Sequence, residues 1–112
     1  MSKLTGIAIL VLLLSPSIGS AQEREKAIVL RKVPGLEGAL ADGIVRIVRS
    51  IRELELKKAP SIAETLDWAR TLVLLGIQEV DAEQAKDTLH ILLKYQSDIT
   101  KATKELSTAG VK

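Results

Sequence analysis

From Gln22 onward, apolar residues return every three or four positions, and the runs are separated by short breaks with explicit turn chemistry. This pattern predicts four helices. The first covers Gln22 to Lys32, is highly charged, and has Ala27, Ile28 and Leu30 as its apolar content. Val33-Pro34-Gly35 ends it, because Pro34 pushes Val33 out of the helical region and Gly35 permits a sharp turn. The second covers Leu36 to Leu56, with Leu36, Leu40, Ile44, Ile47, Val48 and Ile51 along one face and Glu55 at its end. Arg46, Arg49 and Arg52 occupy another face, which is either solvated or a contact surface for a neighbouring subunit. Gly38 and Gly43 weaken this helix by about 1 kcal/mol each relative to Ala, which packing has to offset.

Lys57-Lys58-Ala59-Pro60 forms the next break, and Ser61-Ile62-Ala63-Glu64 reads as a capping box opening the third helix. That helix is expected to run to about Leu75, with Ile62, Leu66, Ala69 and Val73 as its inner stripe. Leu72-Val73-Leu74-Leu75 is apolar on every side, so this helix is expected to be the most buried, with Gly76 terminating it. Asp81-Ala82-Glu83-Gln84 is a second capping box. The fourth helix follows it, with Ala85, Leu89, Leu92, Gln96 and Ile99 on its face, fraying near Lys104 into a loose tail over 107–112. The expected fold is therefore all-α, a small four-helix bundle over 22–106 with an apolar segment before it.

Residues 1–21 admit two readings. Lys3, then the unbroken apolar run Ile7–Leu14, then Gly19-Ser20-Ala21 fit a signal peptide cleaved after Ala21. The run is too short to span a bilayer comfortably. It is also rich in β-branched residues, and so is compatible with a short buried strand followed by a Ser15-Pro16-Ser17 loop.

Composition narrows the class. Of 112 residues, 46% are hydrophobic and 27% charged, which suits one small globular domain. Aromatics are only 2%, so the core is aliphatic and suited to helix-on-helix packing. The net charge of +2 is spread over interspersed acids and bases, which with so few aromatics points away from nucleic acid. There is no cysteine, and His90 is the only histidine, so no usual zinc site is available; His90 reads as an ordinary polar residue on a helix flank. No G-x-x-x-x-G-K-[ST] phosphate loop, H-E-x-x-H or G-x-S-x-G string occurs. The residues alone describe a small helical domain that binds or caps something, without catalytic machinery.

Three separated strings go further. They are Ile28-Val29-Leu30-Arg31-Lys32-Val33-Pro34-Gly35-Leu36, then Ala63-Glu64-Thr65-Leu66-Asp67-Trp68-Ala69-Arg70, then Thr88-Leu89-His90-Ile91-Leu92-Leu93-Lys94-Tyr95-Gln96. In this order and spacing the chain, over about Glu23 to Lys101, resembles the C-terminal lid of MoxR-type AAA+ ATPases, in the branch associated with carbon monoxide dehydrogenase maturation. The resemblance implies a helical lid that closes over ATP held by an α/β core, leans on the next subunit of a ring, and transmits hydrolysis to a client protein. The phosphate loop, the magnesium-binding acids and the arginine finger of such enzymes belong to the core. No catalysis is therefore expected of this chain alone, and ATP and magnesium only with a core domain. The partners implied are that core and neighbouring ring subunits, with no nucleic acid, and a membrane only if the N-terminal segment is retained.

By the same resemblance, Ser61, Glu64 and Thr65 lie at the lid edge near the nucleotide. Many such lids place a sensor arginine near the start of the third helix, where this chain has Ser61-Ile62-Ala63-Glu64; Arg70 lies two turns further on. Trp68 and Arg70 read as a core anchor and a surface ion pair. In the family the lid follows a hydrophobic strand and a Pro-Ser loop, which Ile7–Leu14 with Pro16-Ser17 resembles, although the arginines expected before that strand are missing. A cytoplasmic location follows from the family. The alternative is a small exported helical binding protein that reuses the lid.

Overall fold

The structure, a computed structural model, describes residues 20–109, so the readings of Ile7–Leu14 and of the last three residues lie outside it. Among the described residues there are six helices and no strand: α1 (Ala21–Lys32), α2 (Gly38–Arg52), α3 (Ile62–Leu74), α4 (Ala82–Asp87), α5 (Leu89–Leu92) and α6 (Gln96–Ala109).

The Ser20 side chain caps α1 by accepting from the Glu23 amide at 3.0 Å, and Glu23 at its start and Arg31 and Lys32 at its end complement the helix dipole. Gly35 takes φ +84° in the turn that follows. A Cβ there would stand 3.3 Å from Val73 Cγ1, so this turn sits against the end of α3. The second helix is shorter than its apolar pattern suggested. It starts at Gly38 rather than Leu36 and ends at Arg52 rather than Leu56. Leu36 is still buried, reaching the core from the turn. Gly43, inside α2, has a structural reason: a Cβ there would meet Val80 Cγ1 at 3.0 Å, so the glycine lets the link before α4 pack closely.

The core is built around α2, whose Leu40, Ala41, Ile44, Val45, Ile47, Val48 and Ile51 are all buried. Val29 and Val33, Trp68, Ala69 and Leu72, and Leu89, Leu92, Ala102 and Leu106 close over it from the other segments. The expectation that α3 is the most buried helix is corrected here. Its inner stripe is Thr65, Trp68, Ala69 and Leu72 rather than Ile62, Leu66, Ala69 and Val73, a rotation of about one residue. Ile62 is exposed, and Leu74 and Leu75 project outward. Gly76, at φ +76°, ends α3, with its amide on the Val73 carbonyl and that of Ile77 on the Leu72 carbonyl.

The single fourth helix expected from Asp81 is also corrected: it is three helices. The Asp81–Gln84 capping box forms in both directions. Thr88 then breaks the helical path, and Leu93 is extended (φ −121°, ψ 139°). The second break restarts the helical phase, so the buried positions of α6 are Asp98, Ala102 and Leu106, and Gln96 is exposed. The helix continues through Ala109, past the fraying point expected near Lys104. No helix among the described residues is long and apolar enough to cross a membrane.

Candidate functional site

The three residues singled out at the start of α3 form one cap. Ser61 Oγ accepts from the Glu64 amide at 3.2 Å, and the Ser61 amide donates to Glu64 Oε1 at 2.9 Å. The Thr65 hydroxyl turns inward and donates to the Ser61 carbonyl at 2.9 Å. Thr65 is buried, Glu64 half-buried and Ser61 exposed, so of the three Ser61 is the one presented to an approaching molecule. The amides of Ile62 and Ala63, in the first turn, have no acceptor within the helix, and both residues are exposed.

Two lysines converge on this cap. Lys58 Nζ lies 3.4 Å from both Glu64 oxygens, and Lys94 Nζ lies 3.2 Å from Oε2. The Ser61 amide, followed by Lys94, the Ser61 hydroxyl and Lys58, holds the Glu64 carboxyl down at about 2, against its ordinary 4.5 and against the opposing effect of burial. The lid-edge residues named from sequence are thus joined by Lys94, which sits in the break between α5 and α6, thirty positions along the chain.

The connection from Glu53 to Pro60 has no regular structure, yet side chains from three helices, with Glu64 of α3 on Lys58, fix it. Asp98, 1% exposed at the start of α6, accepts from the Lys57 amide at 2.9 Å and the Lys58 amide at 3.1 Å. Lys101 Nζ donates to the Glu55 carbonyl at 2.7 Å. Arg52 Nε donates to the Pro60 carbonyl at 3.0 Å, and its Nη1 pairs with Glu25 of α1 at 2.7 Å. Lys57 Nζ stands 5.3 Å from the centroid of the Tyr95 ring, within cation–π range. Of the three arginines placed on one solvated or contact face, Arg52 is therefore turned to internal work.

Trp68 is fully buried, and its Nε1 donates to Thr88 Oγ1 at 2.7 Å. Arg70 is exposed and pairs with Asp67 at 3.1 Å. His90 is exposed on the short α5. The sequence assigns no role to Asp98, Thr88 or Glu25. Each reads there as an ordinary helix polar residue, and only the packing of separate helices places them beside their partners. No group of three or more His, Cys, Asp or Glu side chains able to hold a metal occurs among the described residues.

The arrangement offers a helix N-terminus with exposed amides, an exposed hydroxyl and two lysine ammonium groups beside one carboxylate. Such an edge can receive an anionic group, with Glu64 as the internal competitor for its lysines. Comparisons of the chain with protein-family models, with curated proteins and with solved structures gave no match.

Proposed function

We propose that this chain is the helical lid of a MoxR-type AAA+ ATPase. It would close over ATP bound to a nucleotide-binding core and pass the effect of hydrolysis around a ring that remodels client proteins. In this reading the fold is a lid-type four-helix bundle whose fourth limb is divided into α4, α5 and α6. The chain carries no catalysis by itself, since the residues that polarise phosphate and hold magnesium belong to the core.

The observation that supports the reading is that the second and third of the strings named above bond to each other, with the turn of the first close beside α3. Trp68 of the second string bonds to Thr88 of the third at 2.7 Å, and Glu64 of the second pairs with Lys94 of the third at 3.2 Å. Gly35 of the first string lies against Val73, one turn beyond the second on α3. Residues far apart in sequence that the resemblance rests on therefore support one another in space, which is compatible with a common packing unit. The nucleotide would face the edge made by Ser61, the first turn of α3, Lys58 and Lys94. Glu64 and Thr65 act by holding that edge in shape.

The test is reconstitution. A MoxR-type core made without its own lid is mixed with this chain, and ATP turnover is measured for each alone and for both. The proposal expects no turnover from the chain alone and a several-fold increase for the mixture over the core. Turnover by the purified chain, or a mixture no faster than the core, would overturn it.

A further inference from the structure

The first helix is joined lightly to the rest of the fold. Of the 12 residues of α1, Glu25 and Val29 are buried, and Val29 is the apolar one of the two. Leu30 is exposed and Ile28 half-buried. Two ion pairs reach α2, Glu25 with Arg52 at 2.7 Å and Lys26 with Asp42 at 2.8 Å. The second Glu25 oxygen, Oε2, is buried without a hydrogen-bond partner. A buried acceptor left unpaired opposes docking, because lifting the helix returns it to water. Val33 and Leu36, both buried, anchor the turn that follows, so α1 can lift while its far end stays fixed. A helix with so little buried apolar surface opens more readily than the core helix α2.

What α1 touches gives its docking a consequence elsewhere. The Arg52 guanidinium donates from Nη1 to Glu25 and from Nε to the Pro60 carbonyl at 3.0 Å. That carbonyl and the Ser61 amide belong to one planar peptide group, so fixing the oxygen fixes the direction of the N–H. The Ser61 amide in turn donates to Glu64 Oε1 at 2.9 Å, closing the capping box of α3. Glu25, Arg52, the Pro60–Ser61 peptide and Glu64 are therefore a continuous relay from α1 to the first turn of α3. The second capping box, in which the Asp81 amide donates to Gln84 Oε1 at 3.1 Å, has the same local chemistry and lies outside the relay.

We propose that α1 is a detachable strap whose docking sets the α3 cap through Arg52 and the Pro60–Ser61 peptide. Docked, Glu25 holds the guanidinium against the Pro60 carbonyl. Lifted, α1 leaves Arg52 free to turn to solvent, and the Ser61 edge loosens while the core around α2 stays folded. The relay ends at the edge assigned above to the nucleotide, but it lies wholly within this chain and does not rest on the lid reading.

Amide exchange and carboxyl titration of the full chain, both read by NMR without nucleotide or core, test this. In the wild type the Val33 amide, bonded to the Val29 carbonyl, should exchange at least ten-fold faster than the amides of Ile47 and Val48 in α2. Two variants then lift the strap. Glu25→Ala cuts the relay at its first member, and Asp42→Lys sets like charges at the exposed pair and leaves every relay atom in place. Each should speed exchange of the Val33 and Ser61 amides at least three-fold and leave the Asp81 amide unchanged. In each, the Glu64 carboxyl should titrate above its wild-type value of about 2, toward its ordinary 4.5, because the Ser61 amide is the strongest influence holding it down. Val33 protected as well as Ile47 and Val48 would show that α1 does not open by itself. A Ser61 amide and a Glu64 carboxyl unmoved while Val33 speeds up would show that the relay carries nothing. Asp81 accelerated as much as Ser61 would mean general loosening. Each of these three results overturns the proposal, and Asp42→Lys alone decides it if Glu25→Ala does not fold.

Discussion

The two ends of α3 are built on opposite principles. At its start the preceding connection is irregular and rich in lysine, yet Asp98, Lys101, Arg52 and Glu64 hold it through named bonds. At its end the sequence is purely apolar, yet Leu74 and Leu75 stand in solvent. The helix end closes its own carbonyls through Gly76 and Ile77 and needs nothing from its side chains. Burial is thus set by what packs opposite a residue, and the apolar content of a run does not decide it. Order in an irregular segment follows from the polar groups that meet its backbone.

The middle of α3 belongs to neither end and sets the scale of stability for both. Trp68→Ala removes the largest fully buried side chain and leaves Thr88 without its indole donor. It should cost about 3–5 kcal/mol, comparable with the margin of a domain this small. Urea denaturation followed by circular dichroism measures it. A variant melting within a degree or two of the wild type would contradict the packing described.

At the clamped end, Asp98→Ala removes the acceptor of two backbone amides. A loss of about 1.5–3 kcal/mol is expected, with Asp98→Asn losing less because its remaining carbonyl can keep one bond. Hydrogen exchange sharpens the comparison. The amides of Lys57 and Lys58 should lose protection in Asp98→Ala, while the amides of Gly76 and Ile77 keep theirs. Equal loss at both ends would show that the two are not independently held.

Smaller effects are expected at the cap. Ser61→Ala should cost about 1 kcal/mol. Glu64 serves the same cap but also Lys58 and Lys94, so Glu64→Ala should cost at least as much, and the double variant should be less than additive. Because the folded carboxyl sits at about 2 against an ordinary 4.5, its stabilisation is complete above pH 4.5 and is lost as the pH falls through about 2. The stability gap between wild type and Glu64→Gln should accordingly be constant above pH 4.5 and close toward pH 2. A gap that widens on acidification would contradict the ion pairs drawn here.

Much of the helical layout was legible in the chain because local chemistry determines it. Both capping boxes form, the Pro34-Gly35 turn and the Gly76 stop lie where expected, and the apolar face of α2 is buried. The division of the fourth helix was not legible. Neither Thr88 nor Leu93-Lys94 carries a proline or glycine, and the break is favoured by tertiary bonds, Trp68 to Thr88 and Glu64 to Lys94. The inner stripe of α3 was misplaced by about one residue for a related reason. Thr65 counts as polar in a periodicity reading, but its hydroxyl is satisfied by the Ser61 carbonyl and the residue can be buried. At the candidate site Ser61, Glu64 and Thr65 were readable as a local motif. Lys94 and Asp98 became partners only through the reversal of the chain after α4.

In the proposed function the Ser61 edge faces ATP on a nucleotide-binding core, and calorimetry of this chain titrated into a lidless MoxR-type core tests that contact. Association should be several-fold tighter with ATP and magnesium than without, and that difference should be lost when Lys58→Glu and Lys94→Glu are combined in a variant that still melts cooperatively. Association indifferent to ATP, or an ATP effect that survives both charge reversals, would contradict it.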